Sequence, residues 1–420
     1  MPSPASRDST FRVTRELEFF FDYSCPFAYL GSTQVEALAR RMGATLAFRP
    51  MLLGGVFRAH GTPQRLFEAQ VPAKAAHNLL DLSRWAALYG VPLEMPAAHP
   101  MRTVDALRAT LVTGCDPKVI HGFYRAYWAQ GKPVSDPAVL REVLSAAGHD
   151  ADAVLARIEA AEVKDELRKR TDDAVALGIF GVPVYRVDGG AILWGQDRMP
   201  LVSGLPWDEL LPPVPAVSKP GREHTVEVYW DFSSPFAYLG YSQAEALARR
   251  TGARLVHRPM LLGALFKQVG QPMVPMSTWP LPKQAYYVED MRRSAAAVGV
   301  PFAFPTRFPM NTVKPLRAYL ALPEPVRGPF AAATFRAYWG EDRDIADDAV
   351  LADLITAAGH PAASEALART QSPEIKQALI DSTAKAVAAG VFGAPSWVVD
   401  GKELYWGQDR MVLVERALRT

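Results

Sequence analysis

The chain says nearly everything twice, and that repetition limits its fold more than any other feature. Ser24–Ala44, "SCPFAYLGSTQVEALARRMGA", matches Ser233–Ala253, "SSPFAYLGYSQAEALARRTGA", at 16 of 21 positions. "FRPMLLGGVF" at 48–57 answers "HRPMLLGALF" at 257–266, and "GIFGVPVYRVDGG" at 178–190 answers "GVFGAPSWVVDGK" at 390–402. "WGQDRM" starts at Trp194 and again at Trp406. A period near 210 of 420 residues is far too long for a solenoid unit, so two whole domains are expected. Their boundaries read as 14–211 and 225–420, joined by a Pro-rich linker at 212–224 that suits a semi-rigid spacer.

Each copy opens with an apolar run, "LEFFFDYS" or "VEVYWDFS", of the kind a doubly covered parallel strand shows. Pro26 and Pro235 then fit a first helical position, where the missing N–H costs nothing. The helix runs to a glycine and a second strand follows, "ATLAFRPML" or "ARLVHRPML", completing a βαβ unit. About 60–175 and 270–386 carry helical spacing, and each copy closes as strand, turn, strand and short helix. The fold class is therefore α/β: two thioredoxin-like domains in tandem, each with an all-helical insertion.

The formal net charge of +2 gives no reason to expect nucleic acid or an anionic membrane as partner. No run reaches the 18 or so apolar residues of a membrane span, and the N-terminal residues lack a secretory core. Two cysteines, Cys25 and Cys115, make neither a disulfide framework nor a zinc site and suit a cytoplasmic location. The eight histidines show no paired metal-binding spacing, so no metal is expected.

The chemistry concentrates where strand meets helix. "DYSCPFAYLG" places Cys25 before the proline, and "DFSSPFAYLG" places Ser234 there. A helix N-terminus presents unpaired N–H groups and favours an anion, so a thiolate there is stabilised. Cys25 can be that thiolate; Ser234, with no lysine or histidine in its local motif, can donate a hydrogen bond to one. Serine before proline is also an ordinary N-cap. No second cysteine stands at the CxxC position, where Ala28 sits, so a dithiol oxidant is excluded. Cys115 reads as a structural thiol.

The ordered set "D-[FY]-S-[SC]-P-F-A-Y-L-G", "RPMLLG", "FPMNT" at 308–312, "GVFGAP" and "WGQDR" resembles the 2-hydroxychromene-2-carboxylate isomerases, related to kappa-class glutathione transferases and DsbA-like proteins. The resemblance implies glutathione as cofactor and a small aromatic or polyketide-like acid as substrate, with bound glutathione acting as nucleophile. It implies cis bonds before Pro183 and Pro395. Ser234 and Cys25 become the catalytic candidates. The backbone of Ala394 before Pro395 would hold glutathione, Gln408 and Asp409 its γ-glutamyl end, Lys283 a carboxylate, and Asn311 substrate or cofactor. In the first copy Val182, Pro183, Gln196 and Asp197 keep the pattern, Lys74 matches Lys283, but Arg102 replaces the asparagine. Lys283 equally suits a solvated helix face, and Asp409 an N-cap. The second half is the more family-like site, and the fusion suggests an internal pseudo-dimer of the halves. A kappa-like transferase, a monothiol oxidoreductase built on Cys25, and a non-catalytic tandem scaffold are the competing functions.

Overall fold

A computed structural model describes residues 15–66, 68–213 and 224–419; most of the 212–224 linker lies outside them. Each copy forms a four-stranded sheet with the same topology. In the first, β1 (Arg15–Phe21), β2 (Ala44–Pro50), β3 (Val184–Val187) and β4 (Ile192–Trp194) take the order β2-β1-β3-β4. In the second, β5 (Thr225–Trp230), β6 (Arg254–Pro259), β7 (Ser396–Val399) and β8 (Glu403–Trp406) repeat it. The first two strands of each sheet are parallel and the other pairings antiparallel. The parallel pair needs a crossover helix, supplied by Pro26–Met42 and Pro235–Thr251. Both begin on the expected proline and end at a left-handed glycine, Gly43 (φ 62°) and Gly252 (φ 70°), where a side chain would be strained.

The central strand is buried on both faces: Leu17, Phe19 and Phe21 cover one face and Phe20 the other, as Val226, Val228 and Trp230 do against Tyr229 in the second copy. Such a strand carries the hydrophobic load of the unit, at roughly 1.5–3 kcal/mol per large side chain. Charge at its margin is paired across the sheet. Glu18 meets Arg49 at 2.8 Å and Arg186 at 3.2 Å, and Glu227 meets Arg258, which accounts for the arginine of both "RPML" segments.

The compact units do not follow the repeats. One gathers 1–60 with 86–210; the other gathers 61–85 with 211–420. The sequence drew each copy as an uninterrupted run, yet the Pro72–Tyr89 helix starts in the second unit and ends in the first. The helical regions also start earlier than about 60 and 270, at Leu53 and Leu262. There the buried carboxylates of Asp22 and Asp231 accept the Leu53 and Leu262 amides at 2.8 and 2.7 Å.

Candidate active site

Ser234 sits at the N-terminus of the Pro235–Thr251 helix, 5% exposed. Its Oγ accepts the Ala237 amide at 3.1 Å and donates to the Ala394 carbonyl at 3.0 Å. Ala394–Pro395 is cis, as is Val182–Pro183; both match what the resemblance implied. His99–Pro100 and Phe308–Pro309 are cis as well, which the sequence reading did not foresee. The glycine of "AYLG" lets this loop close on the helix: a Cβ on Gly240 would stand 2.9 Å from Pro395 Cγ.

Cys25 occupies the matching place, and its Sγ donates to the Val182 carbonyl at 3.1 Å. The larger sulfur makes no capping bond to the helix. The residue keeps partial exposure, but its sulfur is enclosed, and burial pushes the thiol up to about 12. The Phe27 and Ala28 amides pull the other way and do not offset it. Burial thus opposes the thiolate that the helix terminus at Cys25 would favour. Cys115 is also a free, half-buried thiol raised by burial.

Beneath each of these residues lies a buried carboxylate, Asp231 or Asp22. Asp231 accepts the Ser233 amide at 3.0 Å, the Leu262 amide at 2.7 Å and Thr312 Oγ1 at 2.6 Å. Asp22 does the same with Ser24, Leu53 and Thr103. It thereby ties strand end, helix start and the "PMNT" or "PMRT" segment into one joint. The signal was present in the sequence as the repeated Asp, two residues before Ser24 or Ser233, and the threonine ending each "PM" motif. Asn311 itself is exposed and turned to its own chain, its Oδ1 accepting the Val313 amide at 3.0 Å. Arg102, its counterpart, is exposed beside Asp105 at 3.6 Å.

The second unit adds groups that the repeat assigned to the first copy. Lys74 Nζ lies 5.0 Å from the centre of the Trp406 ring, and burial lowers its pKa. Asp81, 2% exposed, takes both Nε and Nη2 of Arg410 at 2.8 and 2.9 Å, and Arg410 also meets Asp409 at 3.1 Å. Arg84 stacks 3.8 Å over Tyr405. His77 packs edge-on to Phe392 and Trp406, 4% exposed with neither ring nitrogen hydrogen-bonded. Burial, then the charges of Arg410 and Arg84, lower it to about 3, so it is a neutral imidazole. None of His77, Asp81 or Arg84 was singled out from sequence; only a placement of residues 61–85 against the second sheet reveals them.

Lys283 lies 4.6 Å from the Trp279 ring and 5.9 Å from Tyr287. Burial first, and the charge of Lys74 second, bring it down to about 8. It is therefore no solvated helix face. In the first unit Gln196 is buried and accepts from Tyr89 Oη at 2.6 Å, while Asp197 pairs with Arg198 at 2.9 Å. Gln408 is half-buried beside Asp409.

The model of the DSBA-like thioredoxin domain matches residues 16–205 and again 225–419. The chain belongs to the DSBA-like thioredoxin family, as a tandem of two such domains. Among relatives, 2-hydroxychromene-2-carboxylate isomerase of Sphingobium xenophagum is 32% identical over 189 residues, 44% of this chain and 95% of that protein. Glutathione S-transferase kappa 1 of Rattus norvegicus is 30% identical over 217 residues, 48% and 95% respectively. A solved structure of a 2-hydroxychromene-2-carboxylate isomerase matches with a TM-score of 0.41 and 23% identity, over 45% of this chain and 93% of that one. These relatives place the chain with the isomerase and kappa-transferase members of the family. Among the described residues, no helix is long and apolar enough to cross a membrane.

Proposed function

We propose that the chain is a glutathione-dependent isomerase of the 2-hydroxychromene-2-carboxylate isomerase type, working on a small aromatic or polyketide-like acid at the Ser234 site. The observation that carries this reading is the Ser234 hydroxyl. It is buried at a helix N-terminus and spans the gap to the cis-proline loop, and the proton it now gives to the Ala394 carbonyl can be turned to an anion by rotation of the hydroxyl.

The surrounding residues suit glutathione by their chemistry. That tripeptide brings two carboxylates, one ammonium and a thiol. Lys283 and Lys74 are desolvated cations, Asp409 offers an acceptor for the ammonium, and the unpaired imidazole of His77 adds a neutral polar group. When bound, glutathione supplies the nucleophilic sulfur. The chain's own residues orient it: Ser234 donates to the sulfur, the helix N-terminus favours its negative charge, and Asp231 holds the joint on which Ser234 stands. An isomerisation returns its cofactor unchanged, so one hydroxyl is sufficient and no redox-active cysteine is needed.

The kappa-transferase reading uses the same residues and is favoured by the similarity to that class. Assay with a chromene acid against an electrophilic halide separates the two reactions. The monothiol reading loses support because Cys25 is held as a neutral thiol. Calorimetric titration with reduced glutathione tests the proposal: saturable binding that weakens in Lys283→Met supports it, and absence of binding into the millimolar range removes it.

A further inference from the structure

The two copies differ sharply at a cluster away from Ser234 and Cys25. In the first, Arg108 and Lys164 both pair with Glu159, at 3.2 and 2.7 Å, and Arg108 also lies 3.8 Å from Asp105. The matching residues in the second copy are Arg317, Lys376, Gln371 and Lys314. Both cations are retained and both carboxylates are gone. Arg317 and Lys376 have no ion-pair partner among the described residues, and Arg317 Nε is buried without a hydrogen bond. Lys314, in place of the second acid, pairs outward with Asp348.

The same two cations line a cavity of about 250 Å³ with Leu261, Ala264, Val313 and Ile380. Ile380 replaces Arg168 of the first copy and is 59% exposed, so an apolar side chain stands at the mouth. A cavity of about 150 Å³ already takes benzene, so there is room for one aromatic ring or a short alkyl chain with a head group. An unpaired guanidinium beside an ammonium, over apolar walls, matches a carboxylate on an apolar body. None of the residues assigned to the Ser234 site lines this space.

We propose that this cavity is a second ligand site, which binds a small organic acid through Arg317 and Lys376 where the first copy holds its own Glu159. The ligand's carboxylate takes the place of the missing side chain, and its ring or chain covers Ile380.

The test titrates the full-length chain with benzoate, and with benzamide as the uncharged match. Benzoate is expected to saturate at one per chain, with benzamide about tenfold weaker or worse. Gln371→Glu rebuilds the internal pair of the first copy; it should weaken benzoate by about tenfold or more while holding or raising the melting temperature. Arg317→Met should weaken it by a similar factor. Lys283→Met should leave benzoate binding unchanged, since that residue belongs to the other site. Equal binding of benzoate and benzamide, no saturable benzoate binding, or full affinity in Gln371→Glu each overturns the proposal. Loss of benzoate binding in Lys283→Met overturns it too, because the acid then sits at the Ser234 site.

Discussion

Cys25 and Ser234 stand at matching places in the two copies and face matching carbonyls, those of Val182 and Ala394, yet they offer opposite chemistry. Each is followed by a proline at a helix start and donates to the residue before a cis-proline, at 3.1 and 3.0 Å. The hydroxyl also caps its helix; the thiol does not. A thiolate at the first site would be favoured by the helix terminus but is opposed by a larger desolvation cost, so the group stays neutral. At Cys25 the helix N-terminus is set against burial, and burial is the larger effect. For the anion to form there, the terminus would need more solvent or counter-charge beside it.

The largest expected effect separates the two directly. Ser234→Ala should lower turnover by roughly two to three orders of magnitude, the scale of losing one donor to a developing or resting anion, with the fold retained. Cys25→Ala should leave turnover within a few-fold of wild type. A steady-state assay on both variants checks this, and equal losses would place the chemistry in both copies.

The next effect is on stability. Asp231→Asn and Asp22→Asn each put an amide donor where three backbone or hydroxyl donors converge. Each should cost about 1–3 kcal/mol in denaturant unfolding. Only Asp231→Asn should also slow turnover, since it alone lies beneath Ser234.

A smaller effect follows from Lys283. Its ammonium is present below about 8 and is lost above, because burial favours the neutral amine. Binding of an anionic ligand to the free protein should therefore be strongest below that pH and fall as pH rises through it. Bound anion moves the transition upward, since it stabilises the charged form. Lys283→Met should bind weakly with a flat profile over the same range, measured by calorimetry at several pH values.

The smallest effect concerns the cap. Cys25→Ser supplies the hydroxyl that the matching helix already uses, and should stabilise the first unit by about 0.5–1 kcal/mol. Cys25 itself should react with iodoacetamide no faster than an ordinary buried thiol at neutral pH.

The fold was legible because its signals are local. Alternating copies of one motif set, prolines at helix starts and glycines at helix ends placed the βαβ unit and the closing hairpin. The positions of Ser234 and Cys25 followed from the same motifs, and the cis bonds before Pro183 and Pro395, though not those before Pro100 and Pro309, from the resemblance. What stayed hidden depends on long-range placement. Residues 61–85 join the second unit, so Lys74, His77, Asp81 and Arg84 gather around Trp406 and Arg410, over 300 residues away in the chain. Periodicity carries no record of which sheet a helix covers. The state of Cys25 was also hidden, because the sign of its shift depends on how deeply the sulfur is enclosed. Asn311, a ligand group by the resemblance, is exposed and its Oδ1 accepts the Val313 amide at the start of the next helix, a local contact that the motif does not record.

The most direct test of Ser234 as the working residue is an ultraviolet titration of the thiolate band with glutathione bound. The expected result is ionisation of bound glutathione below the pH at which the free thiol titrates, in wild type and in Cys25→Ser alike, and its return toward the free value in Ser234→Ala. Ionisation that survives Ser234→Ala and disappears in Cys25→Ser would contradict the assignment and move the chemistry to the first copy.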